Sequence, residues 1–186
     1  DLLEEKRTRD RQEAEKDVLD FIRTRFVYFH TSREFPLDAV EAVVRARFDD
    51  VVDARRRVEA LSAWKRREDF DAMMVGFKRV VNILRNTSPG AMDPRLLVEP
   101  AEQNLFEVLK QVKEAVTPLI DRGEYAEALE VMVRLKAPID KLFDDVMVMV
   151  EDEQVRNNRL GLLKMIADLF GRIADFSFIG STAETK

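Results

Sequence analysis

The sequence predicts an all-α protein, a helical bundle of about eight helices, and three observations lead there. Apolar residues recur at three- and four-residue steps through most of the chain, the spacing that gathers them on one face of a helix. The six glycines are scattered among turns instead of being gathered in a ligand-cradling loop. At 186 residues, 46% of them hydrophobic, the chain is long enough to bury roughly 70% of its unfolded surface without disulfide or metal staples.

The elements follow in order. Residues 1–17 mix charges of both signs with little to bury, and read as a helical lead-in from a preceding domain. Val18, Leu19, Phe21, Ile22, Phe26 and Phe29 then give the first helix an apolar face expected to join a core. His30-Thr31-Ser32 ends it, with His30 expected to be solvated or to meet a helix-end carbonyl. Pro36 suits the first turn of a second helix carrying Leu37, Val40, Val43, Val44 and Phe48. Asp49-Asp50 breaks the chain before a third helix through Val58, Leu61 and Trp64, with Arg55, Arg56 and Arg57 expected on its outward turns. A fourth helix spans residues 70–85.

Thr87-Ser88-Pro89-Gly90 and Asp93-Pro94 form the clearest loop, dividing a front half (18–86) from a back half (95–179), with the loop at 87–94. Pro100 opens a long fifth helix, which Pro118 is expected to kink and Gly123 to stop. Tyr125, Leu129, Met132 and Leu135 form a sixth helix ending before Pro138. Ile139, Leu142, Phe143 and Val146 form a seventh, and the apolar run 146–150 is assigned to helix by context. Leu162, Leu163, Ile166, Leu169, Phe170 and Ile173 line the last helix, and residues 180–186 read as a tail.

Composition excludes several functions. Cysteine is absent and His30 is the single histidine, so no thiolate chemistry and no zinc cluster is expected. There is no run of about 20 apolar residues to span a membrane and no apolar signal core; the chain reads as a cytoplasmic piece of a longer soluble protein. No phosphate-binding loop, dinucleotide glycine pattern or serine elbow occurs. Neither a catalytic site, nor a metal site, nor a bound cofactor is expected within these residues.

Charge is distributed unevenly although the net value is only -5. Between Arg55 and Asn86 nine Lys and Arg stand against four acids, whereas between Pro138 and Val155 six acids stand against Lys141 alone. At about 100° per residue, the fourth helix separates its functions by face. Phe70, Met73, Met74, Phe77, Val80, Val81 and Leu84 fall on one side; Lys78, Arg79, Asn82, Arg85 and Asn86 fall on the other. Such a strip suits RNA, with Lys and Arg on phosphates and Asn on base edges. Arg55, Arg56 and Lys65 are expected to extend the footprint. An ordinary solvated face, a protein-docking face and membrane-surface binding through Arg55–Arg67 and Trp64 are the alternatives.

Residues 143–160 mix acids, apolar residues and then Arg156, Asn157, Asn158 and Arg159. Arg159 falls on the buried side of its helix, where an unpaired charge would cost several kcal/mol. A polar staple to Asp144 or Asp145 is the expectation.

Phe143-Asp144-Asp145-Val146-Met147-Val148-Met149, then Glu151-Asp152, Asn158-Arg159-Leu160, Leu162-Leu163 and Ala174-Asp175-Phe176-Ser177 resemble the C-terminal end of the beta subunit of the two-subunit bacterial glycyl-tRNA synthetase. The resemblance extends back more weakly to about Asp17. It implies a helical anticodon-binding domain of the DALR type over 18–179, although the tetrapeptide that names the type is missing. It further implies that the parent is an ATP-dependent glycine–tRNA ligase using ATP and Mg, that a separate alpha subunit activates glycine, and that tRNA(Gly) and that alpha subunit are the partners. The quoted ending reads as core architecture; no contact residue carries over from it.

Overall fold

A computed structural model of the chain describes residues 10–180; the expectations for residues 1–9 and for the tail beyond Gly180 lie outside the described residues. Eight α-helices are present among them: α1 (Arg11–Thr31), α2 (Leu37–Ala46), α3 (Val51–Trp64), α4 (Phe70–Leu84), α5 (Pro100–Asp121), α6 (Tyr125–Met132), α7 (Lys136–Asp145) and α8 (Glu153–Gly171). Short 3-10 turns occur at Pro94–Leu96, Val133–Leu135 and Phe176–Phe178. Among the described residues, no helix is long and apolar enough to cross a membrane.

Local chemistry sets the boundaries. Asp50 caps α3, its carboxylate accepting from the Val52 and Asp53 N–H groups at 2.7 and 3.0 Å, so two of the N–H groups that a helix start leaves free are satisfied. Glu99 and Glu102 form a reciprocal box at the start of α5, with Pro100 in its first turn. Pro118 does not end that helix, which runs on to Asp121; Gly123 then takes a φ of 74° that favours glycine. Residues 146–150 are not helical. The backbone leaves α7 in extended form at Val146 (φ −126°, ψ 123°), and Val146 and Val148 are buried while Met147 and Met149 are exposed. Burial thus alternates with a period of two along this non-helical segment, which bends at Val148 and Met149.

The helices share one hydrophobic core. α5 packs against α6, α7 and α8; α3 joins through α6, α4 lies on α7 and α8, and the final 3-10 turn wedges between α2 and α4. An aromatic cluster closes that end: Trp64 with Phe70 at 5.1 Å and Phe176 at 6.0 Å, and Phe176 with Phe77 at 5.4 Å and Phe170 at 5.2 Å. Front and back halves thus bury one another's apolar faces. Trp64 is buried and cannot anchor a membrane surface.

Two expectations about the core are corrected. α1 buries only Phe26 and His30, while Val18, Leu19, Phe21 (60% exposed), Ile22 and Phe29 remain in contact with solvent. The periodic face exists, but α1 rests mainly on α2 and nothing in these residues covers it. Arg57 is also not on an outward turn; it is wholly buried. Its guanidinium donates to the Asp53 carboxylate at 2.9 Å and to the carbonyls of Val43, Arg47 and Ile173 at 3.2, 2.9 and 3.2 Å. This joins α3 to the carbonyl end of α2 and to the chain leaving α8, where a cation is favoured.

His30 is buried, not solvated, between the rings of Phe26, Phe29 and Phe35 at 4.3, 5.2 and 5.8 Å. Burial, helped by the charge of Arg55, holds its pKa below the ordinary 6.5. Burial of Asp38 opposes its ionisation, but Lys65 and the Gly180 N–H outweigh it, leaving the carboxyl below the usual 3.8. Asp53 is likewise depressed: Tyr125, Arg47 and Arg57 outweigh its burial. In all three cases the unfolded chain binds more protons than the folded one, so stability falls as pH falls. The His30 contribution is present above about pH 6.5 and declines below it; the carboxylate contributions are lost only below about pH 3.8. Thermal unfolding between pH 7.5 and 5 should therefore show a loss of stability at the lower pH, absent in His30→Phe.

Candidate nucleic-acid interface

α4 presents the basic strip because its other face is committed. Phe70, Met73, Met74, Phe77 and Val80 are buried, Val81 and Leu84 are half-buried, and Lys78, Arg79, Asn82, Arg85 and Asn86 are exposed. None of Lys78, Arg79 and Arg85 is ion-paired among the described residues, which leaves three cations in solvent on one face. Asn86 ends the helix with a φ of 66°, a left-handed conformation that asparagine tolerates well. Behind it, the Thr87 N–H and hydroxyl both donate to the Leu84 carbonyl, at 3.0 and 2.8 Å.

The other sequence-derived candidates are not gathered here. Arg55 is held by Glu59 at 2.8 Å on the side of α3 that faces α1. Arg56 lies over the α5–α6 turn, its guanidinium nitrogen close enough that a Cβ on Gly123 would stand 3.2 Å away. Lys65 is half-buried and bound to Asp38; that carboxylate also accepts from the Gly180 N–H at 2.9 Å. Asp38 of α2 therefore holds both the end of α3, through Lys65, and the turn at Gly180, and the charge of Lys65 is neutralised.

Beside the strip lies a cleft of about 550 Å³ that periodicity did not reveal. It is lined by Arg79 and Ile83 of α4 and by Phe143 to Met149. The Arg79 guanidinium stands 4.3 Å above the Phe143 ring, and Met147 and Met149 are 74% and 54% exposed. Asp144 and Asp145 are exposed at its edge; Asp145 is paired with Lys141 at 2.7 Å. Part of the segment read as core architecture is thus a surface wall. The alternation of valine and methionine was the available signal for an extended strip with one wet side.

The expected staple is real as a buried arginine but has a different partner. Arg159 pairs with Glu102, which is 1% exposed, and donates to the Met147 carbonyl at 2.9 Å. The second Glu102 oxygen accepts from the Val98 and Glu99 N–H groups, both at 3.0 Å. One turn back, Arg156 donates to the Val150 carbonyl at 2.8 Å. Asn158 brackets Asp93, accepting from its N–H at 2.7 Å and donating to its carbonyl at 3.1 Å. Gly161 admits the connector itself: a Cβ there would lie 3.1 Å from the Gly90 carbonyl and 3.2 Å from the Met92 Cα. Gly161→Ala should therefore lose about 1–3 kcal/mol to crowding, against a gain of up to about 1 kcal/mol in helix propensity. Net destabilisation with faster amide exchange at Asp93 would confirm this, and a more stable variant would refute it.

Comparison with known proteins is consistent with this architecture. The model of the DALR anticodon binding domain matches residues 73–176, α4 to the final turn, more than half of the chain. The glycine–tRNA ligase beta subunit of Citrifermentans bemidjiense is 47% identical over 177 residues, 95% of this chain and 26% of that protein. Those of Geotalea daltonii and Anaeromyxobacter dehalogenans are 45% and 44% identical, covering 94% and 92% of this chain and 25% of each relative. The chain thus spans about a quarter of the length of these relatives. With eight helices, no strand among the described residues and a family match that runs from the strip to the final turn, the chain belongs to the DALR anticodon-binding domain family.

Proposed function

We propose that this chain holds the anticodon stem-loop of a glycine tRNA and positions that tRNA for aminoacylation by a cytoplasmic glycine–tRNA ligase. The parent would use ATP and Mg at a site outside these residues, with a separate alpha subunit activating glycine. The observation that carries the reading is the strip itself: Lys78 and Arg79 on α4 and Arg85 at its C-cap are exposed without ion pairs among the described residues, flank Asn82 and Asn86, and fall within the anticodon-binding match. The cations meet phosphates and the amides reach base edges.

The test is binding of a glycine anticodon stem-loop to the full-length subunit at two salt concentrations. Changing Lys78, Arg79, Asn82 and Arg85 to alanine should weaken binding at least about tenfold and flatten the salt dependence by roughly 0.7–0.9 in log–log slope for each phosphate contact removed. Unchanged affinity and slope would remove the strip from the interface.

A second reading, a helical module that docks protein, is favoured by a different face. The exposed Ile22 and Phe29 of α1 line a groove with exposed Val51 and Val52, and Val18, Leu19 and Phe21 are exposed on the same helix; apolar surface of this kind marks protein contacts. Phe21→Ser with Phe29→Ser should then impair subunit assembly on gel filtration while RNA affinity is unchanged.

A further inference from the structure

We propose that the cleft between α4 and residues 143–149 receives an unstacked cytosine, and that Asp144 selects it against uracil; the inference rests on the anticodon-binding reading above. The cleft has the parts such a site requires. The Arg79 guanidinium stands over the Phe143 ring at 4.3 Å, which places a planar, delocalised cation, a group on which bases stack, in the wall of the cleft. Ile83 and the exposed Met147 and Met149 supply apolar, adaptable surface around it. Lys78 on α4 and Arg85 at its C-cap, both exposed, suit the phosphates on either side of an extruded nucleotide.

The selective element is the carboxylate. Asp145 is bound to Lys141, whereas Asp144 lines the cleft with no ion pair among the described residues. A carboxylate beside an RNA-binding strip repels phosphate, and that cost is offset only if a donor meets it. Cytosine provides one in its exocyclic amino group, the base-edge donor that Asp and Glu accept from. Uracil carries a carbonyl oxygen in the same place, so the pairing becomes two acceptors facing one another. Glycine codons begin with two guanines and glycine anticodons end in two cytosines, so the chemistry of Asp144 matches the bases that define this tRNA.

The experiment uses full-length ligase and glycine tRNA transcripts in which each of the two anticodon cytosines is replaced in turn by uracil. The wild type should discriminate against one of the two replacements by about tenfold or more in kcat/KM. Asp144→Asn, whose amide can donate to the uracil carbonyl, should bring that preference close to unity at that position alone, with the thermal midpoint unchanged because the side chain is exposed. Full retention of the preference in Asp144→Asn overturns the inference. The strip quadruple variant separates the two failures: if it weakens all transcripts equally while Asp144→Asn keeps discrimination, the anticodon-binding reading stands and the cytosine reader lies elsewhere. If the quadruple variant changes nothing, both fall together.

Discussion

Arg159→Ala is expected to lose about 3–5 kcal/mol of stability, the cost of leaving a buried carboxylate without its cation. At this chain length that corresponds to roughly 2–4 °C in thermal midpoint per kcal/mol. The size of the effect follows from Glu102. Its carboxylate is 1% exposed and serves three donors, Arg159 and the Val98 and Glu99 N–H groups. Removing the arginine leaves the buried carboxylate with two neutral donors. The Met147 carbonyl loses its partner as well, so residues 146–150 should loosen along with α5. Glu102→Gln combined with Arg159→Met should cost less than the two single changes added together, because no isolated charge remains. Denaturant midpoints for the four proteins measure that coupling; an Arg159→Ala midpoint equal to wild type would show that the pair contributes nothing.

The second large effect belongs to Arg57. Arg57→Ala leaves the Val43, Arg47 and Ile173 carbonyls without this donor and deprives Asp53 of one of its two arginines. Each buried group left unsatisfied costs about 1–3 kcal/mol, and solvent entering the space can recover only part of that. A total of about 4 kcal/mol is expected. Arg57→Lys should rescue little, since an ammonium cannot reproduce a fork that points at three carbonyls and a carboxylate at once. Near-native stability of the lysine variant would mean that charge, not geometry, is what the site requires. Because Asp53 also accepts from Arg47 at 2.8 Å and from the Tyr125 hydroxyl, the phenol, raised to about 12 by burial and by that carboxylate, should titrate closer to its ordinary value in Arg57→Ala only if Asp53 moves away.

The helices and the strip were readable because both are local. Three- and four-residue spacing decides which side of α4 is apolar, and the observed burial of Phe70, Met73, Met74, Phe77 and Val80 follows it residue by residue. The partner of Arg159 was not readable in the same way. Nearby carboxylates were the natural candidates, but α7 ends at Asp145 with Asp144 and Asp145 turned to solvent, and the fold brings in Glu102 from 57 positions away. Arg57 was hidden for a related reason. Three of its acceptors are backbone carbonyls, which every sequence possesses and none advertises. α1 shows the opposite failure: its apolar period is genuine, yet periodicity says that a face is apolar and not what lies against it. The cleft needed the turn from helix to extended chain at Val146, which a short apolar run leaves undetermined.

One turn of α8 ties down two separate stretches of non-helical chain: Arg156 and Arg159 hold residues 146–150 through the Val150 and Met147 carbonyls, and Asn158 holds both backbone groups of Asp93. The wall of the cleft and the connector leaving α4 are therefore already immobilised before any ligand arrives. Little chain entropy is left to lose on association, and a nucleic acid would meet a finished shape. Encounter would then be governed by electrostatic steering toward the strip, and residence time by the cleft. Charge changes on α4 should register chiefly in how fast RNA arrives, and changes at Phe143 or Asp144 in how long it stays.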